Sequence, residues 1–267
     1  MGLIKKQIEF LDKFTKGKWA LNEKTGLVDI EGDFDCSRNK IERNYYGGVK
    51  ALSDFKEVKF GVVTGNFYCV HNTIKSLKGS PQRVGGNFDC SHNNLTSLEG
   101  APQEIDGNFN CLYNKITSIK GAPQEIGGDF FCSSNKITSL EGSPQRVRRL
   151  FGCSNNNLTS LVGGPQEVDD FDCGSNPLTS LMGAPQVVSG YFSCMNTKLT
   201  SLEGAPLEWK GNYSNFYRNP ISEDTINLVW KTMRKNKIDY RTALISLKGE
   251  IPAKDWKKMS SALKGDI

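Results

Sequence analysis

The chain is expected to fold as a parallel β-solenoid of short strands, on three observations. Its eight cysteines stand at positions 36, 69, 90, 111, 132, 153, 173 and 194, with spacings of 33, 21, 21, 21, 21, 20 and 21 residues. The surrounding residues repeat with them. One clean copy is Gly86-Asn87-Phe88-Asp89-Cys90-Ser91-His92-Asn93-Asn94-Leu95-Thr96-Ser97-Leu98-Glu99-Gly100-Ala101-Pro102-Gln103-Glu104-Ile105, and residues 65–210 hold seven such units. A unit offers roughly five apolar side chains (Phe88, Cys90, Leu95, Leu98 and Ile105), too few to bury alone, so stacking must supply the core.

Taken in order, residues 1–31 read as an N-terminal helical cap, because Ile4, Ile8, Leu11 and Phe14 recur at helical spacing. Residues 32–221 form the solenoid of eight to nine units, opening at Gly32 and closing on a degenerate unit near Ile221. Between Cys36 and Cys69 lie twelve residues beyond one unit, placed near 42–58 and including Tyr45-Tyr46-Gly47-Gly48. Insertions in repeat arrays map to loops, either merely tolerated or part of a binding face.

Inside a unit, Phe88-x-Cys90 alternates as a strand does. Asn93 and its equivalents Asn39, Asn72, Asn114, Asn135, Asn156 and Asn176 stand where the chain leaves the strand. There an amide can bond neighbouring backbone and form a ladder along the stack. Gly100-Ala101-Pro102 and its counterparts break any helix and favour an extended, polyproline-like return. Two units depart from the pattern. Arg148-Arg149 replaces the Gly-Gly or Asp-Gly that enters a strand, and the unit from Cys153 to Cys173 is one residue short, which should adjust curvature.

Residues 222–267 read as a basic helical C-terminal cap. Ser222 is a plausible N-cap, Ile226, Val229, Trp230 and Met233 line one helical face, and Pro252 with Asp255 starts a helix through Leu263. The net charge of +5 sits mainly here: Lys+Arg against Asp+Glu is 6 and 5 over 1–31, 18 and 18 over 32–221, and 10 and 6 over 222–267.

The pattern Phe-x-Cys-x-x-Asn-x-Leu-x-x-Leu resembles the leucine-rich repeat, with Phe and Cys in place of two leucines. Its proline and short period resemble the bacterial proline-containing class, and GNFxCSxNxLTSLxGAPQxV resembles repeat proteins encoded by large tailed bacteriophages. The resemblance covers about residues 27–221. It implies a leucine-rich-repeat parallel β-solenoid, protein binding as the usual role, and a bacterial host protein as the partner in the cytoplasm of an infected cell. Some bacterial relatives carry a cysteine-dependent ubiquitin ligase domain. No cysteine follows Cys194 here, so that nucleophile is missing.

The composition points away from several classes. No apolar run is long enough for a signal peptide or a membrane span, and Lys6 stands where a myristoylation site wants Ser or Thr. A soluble, unsecreted, monomeric protein is expected, with neither membrane contact nor cofactor. The cysteines share one inward position, where parallel Cα–Cβ vectors suit reduced thiols better than disulfides. The only histidines are His71 and His92, in equivalent positions of adjacent units beside Asp89, so no Ser/His/Asp constellation is available. Paired surface histidines or a weak metal or pH-sensitive site are both open.

Residues flanking Phe and Cys must point away from the core. On this concave face, columns of Asp, Asn, Ser and Gly are interrupted by Tyr68, Val70, Leu112, Tyr113, Phe131, Tyr191 and Met195. Exposed aromatics among polar residues suit the centre of a protein interface. With His71, Asp89, His92 and Asp172 they form the candidate binding face. The acidic set Asp35, Asp89, Asp129, Asp170 and Asp172 would favour a basic partner. Secondary candidates are Tyr45 and Tyr46 of the insertion, and Trp230, Lys231, Arg234 and Trp256 of the basic tail. The expected function is a non-enzymatic protein-binding module, an inhibitor or adaptor of a bacterial host protein. The alternatives are nucleic-acid binding through the basic C-terminal helices and a structural component of a virion.

Overall fold

The computed structural model describes residues 2–38, 55, 57–206, 208–209 and 214–261. It is a parallel β-solenoid of stacked, leucine-rich-repeat-like coils with a short helix before it and three after it. Helix α1 spans Lys5–Phe14, strands β1 and β2 span Thr15–Asn22 and Leu27–Asp35, and helices α2, α3 and α4 span Glu223–Asn236, Tyr240–Ser246 and Ala253–Ser261.

Each regular coil contributes two strands of two or three residues. Those at Phe67–Tyr68, Phe88–Asp89, Phe109–Asn110, Phe130–Phe131, Leu150–Gly152, Asp170–Asp172, Phe192–Ser193 and Ser214–Asn215 pair in parallel, coil on coil. We refer to them as the Phe ladder. A second series begins at Phe60–Val63 and continues through Arg83–Val84, Glu104–Ile105, Glu125–Ile126 and Arg146–Val147; Glu167–Val168, Val187–Val188 and Glu208–Trp209 form a separate sheet. This Val ladder occupies the stretch expected to be a polyproline-like return. Gly-Ala-Pro does turn the chain, and two residues later the backbone pairs again, because stacking supplies partners that sequence periodicity cannot reveal.

Strand β2 is where both ladders start. It pairs antiparallel with β1 over Leu27–Phe34, with the first Val-ladder strand at Val28↔Phe60 and Ile30↔Val63, and with the Phe ladder at Phe34↔Phe67 and Asp35↔Tyr68. The N-terminal helix stands where the spacing over residues 3–14 predicts it, but the assignment of all of residues 1–31 to a helical cap needs correcting. Only Lys5–Phe14 is helical, and residues 15–35 form a hairpin whose second strand crosses the expected boundary into the solenoid. The large apolar residues Trp19 and Leu21, and Val28 and Ile30, stand at every second position as strands require.

The core is a column of phenylalanine rings. Phe34, Phe67, Phe88 and Phe109 stack at centroid separations of 5.0, 5.3 and 5.4 Å, and the column continues through Phe130, Phe151, Phe171 and Phe192. Beside it runs a column of eight buried, unpaired cysteines. Several thiols donate to the carbonyl one coil on, as Cys111 Sγ does to Phe131 O at 3.3 Å. Both ends of the ring column are closed by aromatics. Phe10 of α1 lies 5.5 Å from Phe34, and Trp230 of α2 lies 5.1 Å from Phe192 and 5.0 Å from Phe216. Helix α2 starts at Ser222, whose hydroxyl accepts from Thr225 N, and α4 packs back on that end through Asp255. Helix α3, capped by Asp239, was not anticipated from the sequence.

Among the described residues no helix is long and apolar enough to cross a membrane. Of the insertion near 42–58, residues 55, 57 and 58 are described. Phe55 and Val58 are buried, Phe55 against Phe60 and Phe67, so this end of the insertion belongs to the core. Asn39, Tyr45 and Tyr46 lie outside the described residues.

Candidate functional site

Two amide ladders fix the backbone around the Phe ladder. In the first, Asn93 Nδ2 donates to Cys69 O (2.9 Å) and Cys90 O (3.0 Å) while its Oδ1 accepts from Ile74 N (3.1 Å). The same arrangement recurs at Asn114, Asn135, Asn156 and Asn176, as expected. The second ladder was missed. Oδ1 of Asp33, Asn66, Asn87 and Asn108 accepts from the backbone amide of the equivalent residue one coil on, at 2.7 or 2.8 Å. Asp129 and Asp170 do the same for Leu150 N (3.1 Å) and Tyr191 N (2.6 Å).

This changes the meaning of the acidic set. Asp129 and Asp170 hold backbone amides. Asp35, Asp89 and Asp172 each accept from an amide two residues on, at Ser37, Ser91 and Gly174, and Asp35 also pairs with Lys16 at 3.1 Å. These carboxylates have local partners that explain their presence without a basic ligand. Tyr191 likewise lies in the second amide column, at the entrance to its strand, and not in the outward columns of the candidate face.

The outward columns lie beside each cysteine. From the coil of Cys69 onward the residue two after it, or after Phe216 in the last coil, is left-handed: His71, His92, Tyr113, Ser134, Asn155, Ser175, Asn196 and Arg218 have φ between 52° and 60°. That backbone directs the side chain outward just before the chain turns on the ladder asparagine. In the first three of these coils the rings stack on one another, His71 on His92 at 4.2 Å and His92 on Tyr113 at 4.5 Å. Ser134 ends the stack. Tyr113 is 55% exposed, and His92 is exposed as well.

The neighbouring large residues are less prominent. Tyr68, Val70, Leu112, Phe131 and Met195 are half-buried. Phe131 lies towards Gly152, where an added Cβ would meet its ring at 3.6 Å, and Met195 lies against Gly174 with its sulfur 3.5 Å from Asn215 Nδ2. Glycines in the adjacent coil let these two side chains lie along the stack. The structure thus brings together His71, His92 and Tyr113, flanked by Tyr68, Val70, Asp89, Leu112 and Phe131, and leaves Asp172 and Met195 several coils away.

Among the described residues no three His, Cys, Asp or Glu side chains are placed to hold a metal ion. The thiols are far from reactive: burial pushes every one of them well above the ordinary cysteine value. Two surface grooves, of about 480 and 560 Å³, are lined around Arg83, Asp106 and Arg148 and around Leu27, Phe55 and Phe60, away from the ring stack.

The basic tail also needs correcting. Trp230 is 2% exposed and serves as the lid of the ring column, Tyr240 is buried, and Trp256 is half-buried with Lys248 Nζ 6.0 Å from its ring. Lys231 and Arg234 are exposed. The segment therefore offers cations without the free aromatic faces on which bases stack. Sequence inspection missed Tyr217 and Arg218, the outward pair of the last coil, with Arg218 5.4 Å from an exposed Tyr217 ring. Extending the column count to the unit in which Phe216 takes the cysteine position would have found them. It also missed exposed Val162 and Met182, which stand in the column otherwise holding Lys78, Glu99, Lys120, Glu141 and Glu203.

The chain matches no protein-family model, no curated protein and no solved structure.

Proposed function

We propose that the chain is a non-enzymatic protein-binding module whose contact is centred on the stacked rings of His71, His92 and Tyr113. That stack carries the proposal. The repeated asparagines, aspartates, glycines and cysteines around it hold the coils together, whereas the His92 and Tyr113 rings are exposed and continue the stack from a half-buried His71. Pre-stacked aromatics lose little freedom on binding and present a rigid anchor. The resemblance to bacteriophage repeat proteins supports a bacterial host protein as the partner, met in the infected cell. A module of this kind acts by occupying a surface, as inhibitor or adaptor.

The test is retention of proteins from nuclease-treated host lysate on the immobilised chain, followed by titration of the retained protein. The native chain is compared with a His92→Ala/Tyr113→Ala double variant and with Lys231→Glu/Arg234→Glu. Loss of both rings should weaken binding at least about 30-fold, as removing a central aromatic anchor does. Charge reversal in the tail should leave it unchanged. Binding that survives the ring variant would overturn the proposal. Nuclease-sensitive binding that falls steeply with salt and is lost on charge reversal would instead establish the polyanion alternative.

A further inference from the structure

We propose that the solenoid is jointed between Val147 and Val168, so that it moves as two rigid blocks hinged along the Phe ladder and free to open along the Val ladder. This is independent of what the protein binds. The two sides of the stack differ at this one coil. On the Val side the rungs run regularly up to it: Gly85 N to Val63 O (2.8 Å), Asp106 N to Val84 O (3.0 Å), Gly127 N to Ile105 O (2.8 Å) and Arg148 N to Ile126 O (3.2 Å). They resume beyond it with Ser189 N to Val168 O (3.2 Å). Between the strands Arg146–Val147 and Glu167–Val168 there is no pairing, and the ladder divides into two sheets.

The cause is covalent. A regular coil passes from its Val-ladder strand to its Phe-ladder strand through a close-packed glycine; a Cβ on Gly107 would come within 2.7 Å of Gly86 O. The coil after Val147 has Arg148-Arg149 there, and the coil after Val168 reaches Phe171 with one residue fewer. At the joint the rung from Asp169 N to Val147 O is missing while the next one, Asp170 N to Arg149 O (3.1 Å), is kept, and the one-residue offset shows one coil on, where Gly190 N bonds Asp169 O (2.7 Å). In the core the disturbance falls one coil earlier: Phe130 and Phe151 are tilted by 44°, whereas Phe151 and Phe171, level with the joint, stay stacked at 17° and keep the hinge side packed. Gly164 also replaces the alanine whose methyl is buried at Ala101, Ala122, Ala184 and Ala205.

The opposite side stays laced. Phe130↔Phe151 and Phe151↔Phe171 are paired, and Asn156 and Asn176 keep their bonds to Cys132 O and Cys153 O at 3.1 Å each. One continuous seam facing one interrupted seam is the geometry of a hinge. Its motion changes the angle between the coils bearing His71, His92 and Tyr113 and those bearing Tyr217 and Arg218.

Distances between paired spin labels test this, since the eight native thiols are buried and engineered surface cysteines label selectively. Glu125→Cys with Glu167→Cys spans two coils across the joint, and Arg83→Cys with Glu125→Cys spans two coils without it. Ser134→Cys with Ser175→Cys spans the joint on the hinge side. The first pair should give a distance distribution about twofold broader than the other two, as a hinge opening on one side requires. Replacing Arg148 and Arg149 by Gly and inserting one Gly between Val168 and Asp169 should narrow it to match. Equal widths in the unrepaired chain, which alone decide if the repaired chain does not fold, would overturn the joint, as would a repaired chain that folds and keeps the broad distribution.

Discussion

The Thr197 hydroxyl donates to Asn219 Oδ1 at 2.5 Å, bridging the one coil in which the ladder asparagine is missing. Asn219 then behaves as a ladder residue, donating to Cys194 O (3.0 Å) and Phe216 O (2.8 Å). Threonine cannot donate twice to the two flanking carbonyls as asparagine does. Thr197→Asn should therefore complete the ladder and stabilise the chain by about 1 kcal/mol, the worth of a net hydrogen bond. A thermal melt should rise by about 2–4 °C for a domain of this size. An unchanged or lowered melt would mean that the coil is held too far apart for an amide to span.

The thiol column makes stability fall at alkaline pH. In the folded chain burial raises each thiol well above its ordinary value of 9.0, so the thiols keep their protons while those of the unfolded chain ionise. The stabilisation is complete below the unfolded value and is lost progressively as pH rises from there towards the folded value, at up to about 1.4 kcal/mol per pH unit for each thiol. Urea midpoints should drop steeply between about pH 8.5 and 10, and less steeply in a variant with Cys90, Cys111 and Cys132 replaced by Ala. A midpoint flat across that range would contradict the buried, protonated column.

Asp255 ties α4 to the start of α2 and gives an acid limit. Burial alone would raise its value. The hydroxyls of Ser222 (2.6 Å) and Thr225 (2.8 Å) and the Ser222 amide outweigh burial and hold the carboxyl below the usual aspartate range. A depressed carboxyl stabilises the fold above the unfolded value of about 3.9 and stops doing so as pH falls through the lower folded value. Asp255→Ala should loosen the C-terminal helices at neutral pH by at least about 2 kcal/mol, as loss of bonds to a charged acceptor does. Tryptophan emission from Trp230 and Trp256 would report it, and emission identical to the native chain would deny Asp255 this role.

Two glycines separate tolerance from necessity. A Cβ on Gly152 meets nothing closer than the Phe131 ring at 3.6 Å, whereas one on Gly107 meets Asn87 Oδ1 at 2.5 Å and Gly86 O at 2.7 Å. Gly152→Ala should change stability by less than about 0.5 kcal/mol, and Gly107→Ala should cost more than about 2 kcal/mol through forced backbone movement. Denaturant midpoints of the two variants decide this, and equal midpoints would refute the contrast.

Much of the stack was legible because the same residues recur at one spacing. Phe88, Cys90 and Asn93 define strand, core column and ladder without reference to any structure. The Val ladder was not legible, since a two-residue strand such as Glu104–Ile105 has no period of its own and pairs only because another coil lies beside it. Asp129 and Asp170 looked like surface acids because an aspartate that accepts a backbone amide has the same letter as one that faces solvent. Trp230 was credited to the surface by its basic neighbours, although Ile226, Val229 and Met233 on the same helical face already implied burial. The ring stack itself was half visible. The equivalence of His71, His92 and Tyr113 was plain, since each stands two residues after a cysteine, but the stacking of their rings depends on the left-handed backbone they share.

That shared backbone carries an evolutionary consequence. A left-handed residue other than glycine costs about 1–2 kcal/mol, least for Asn or Asp, and side chains that cannot bond locally recover none of it. A lineage under pressure for robustness alone would drift towards Asn or Gly at every such position, yet here it holds His, Tyr, Ser and Arg as well as Asn. Because the penalty belongs to the main chain and is nearly the same for His, Tyr, Ser and Arg, these letters can replace one another along the column without threatening the fold. It is the place where a descendant of this chain could change its target fastest.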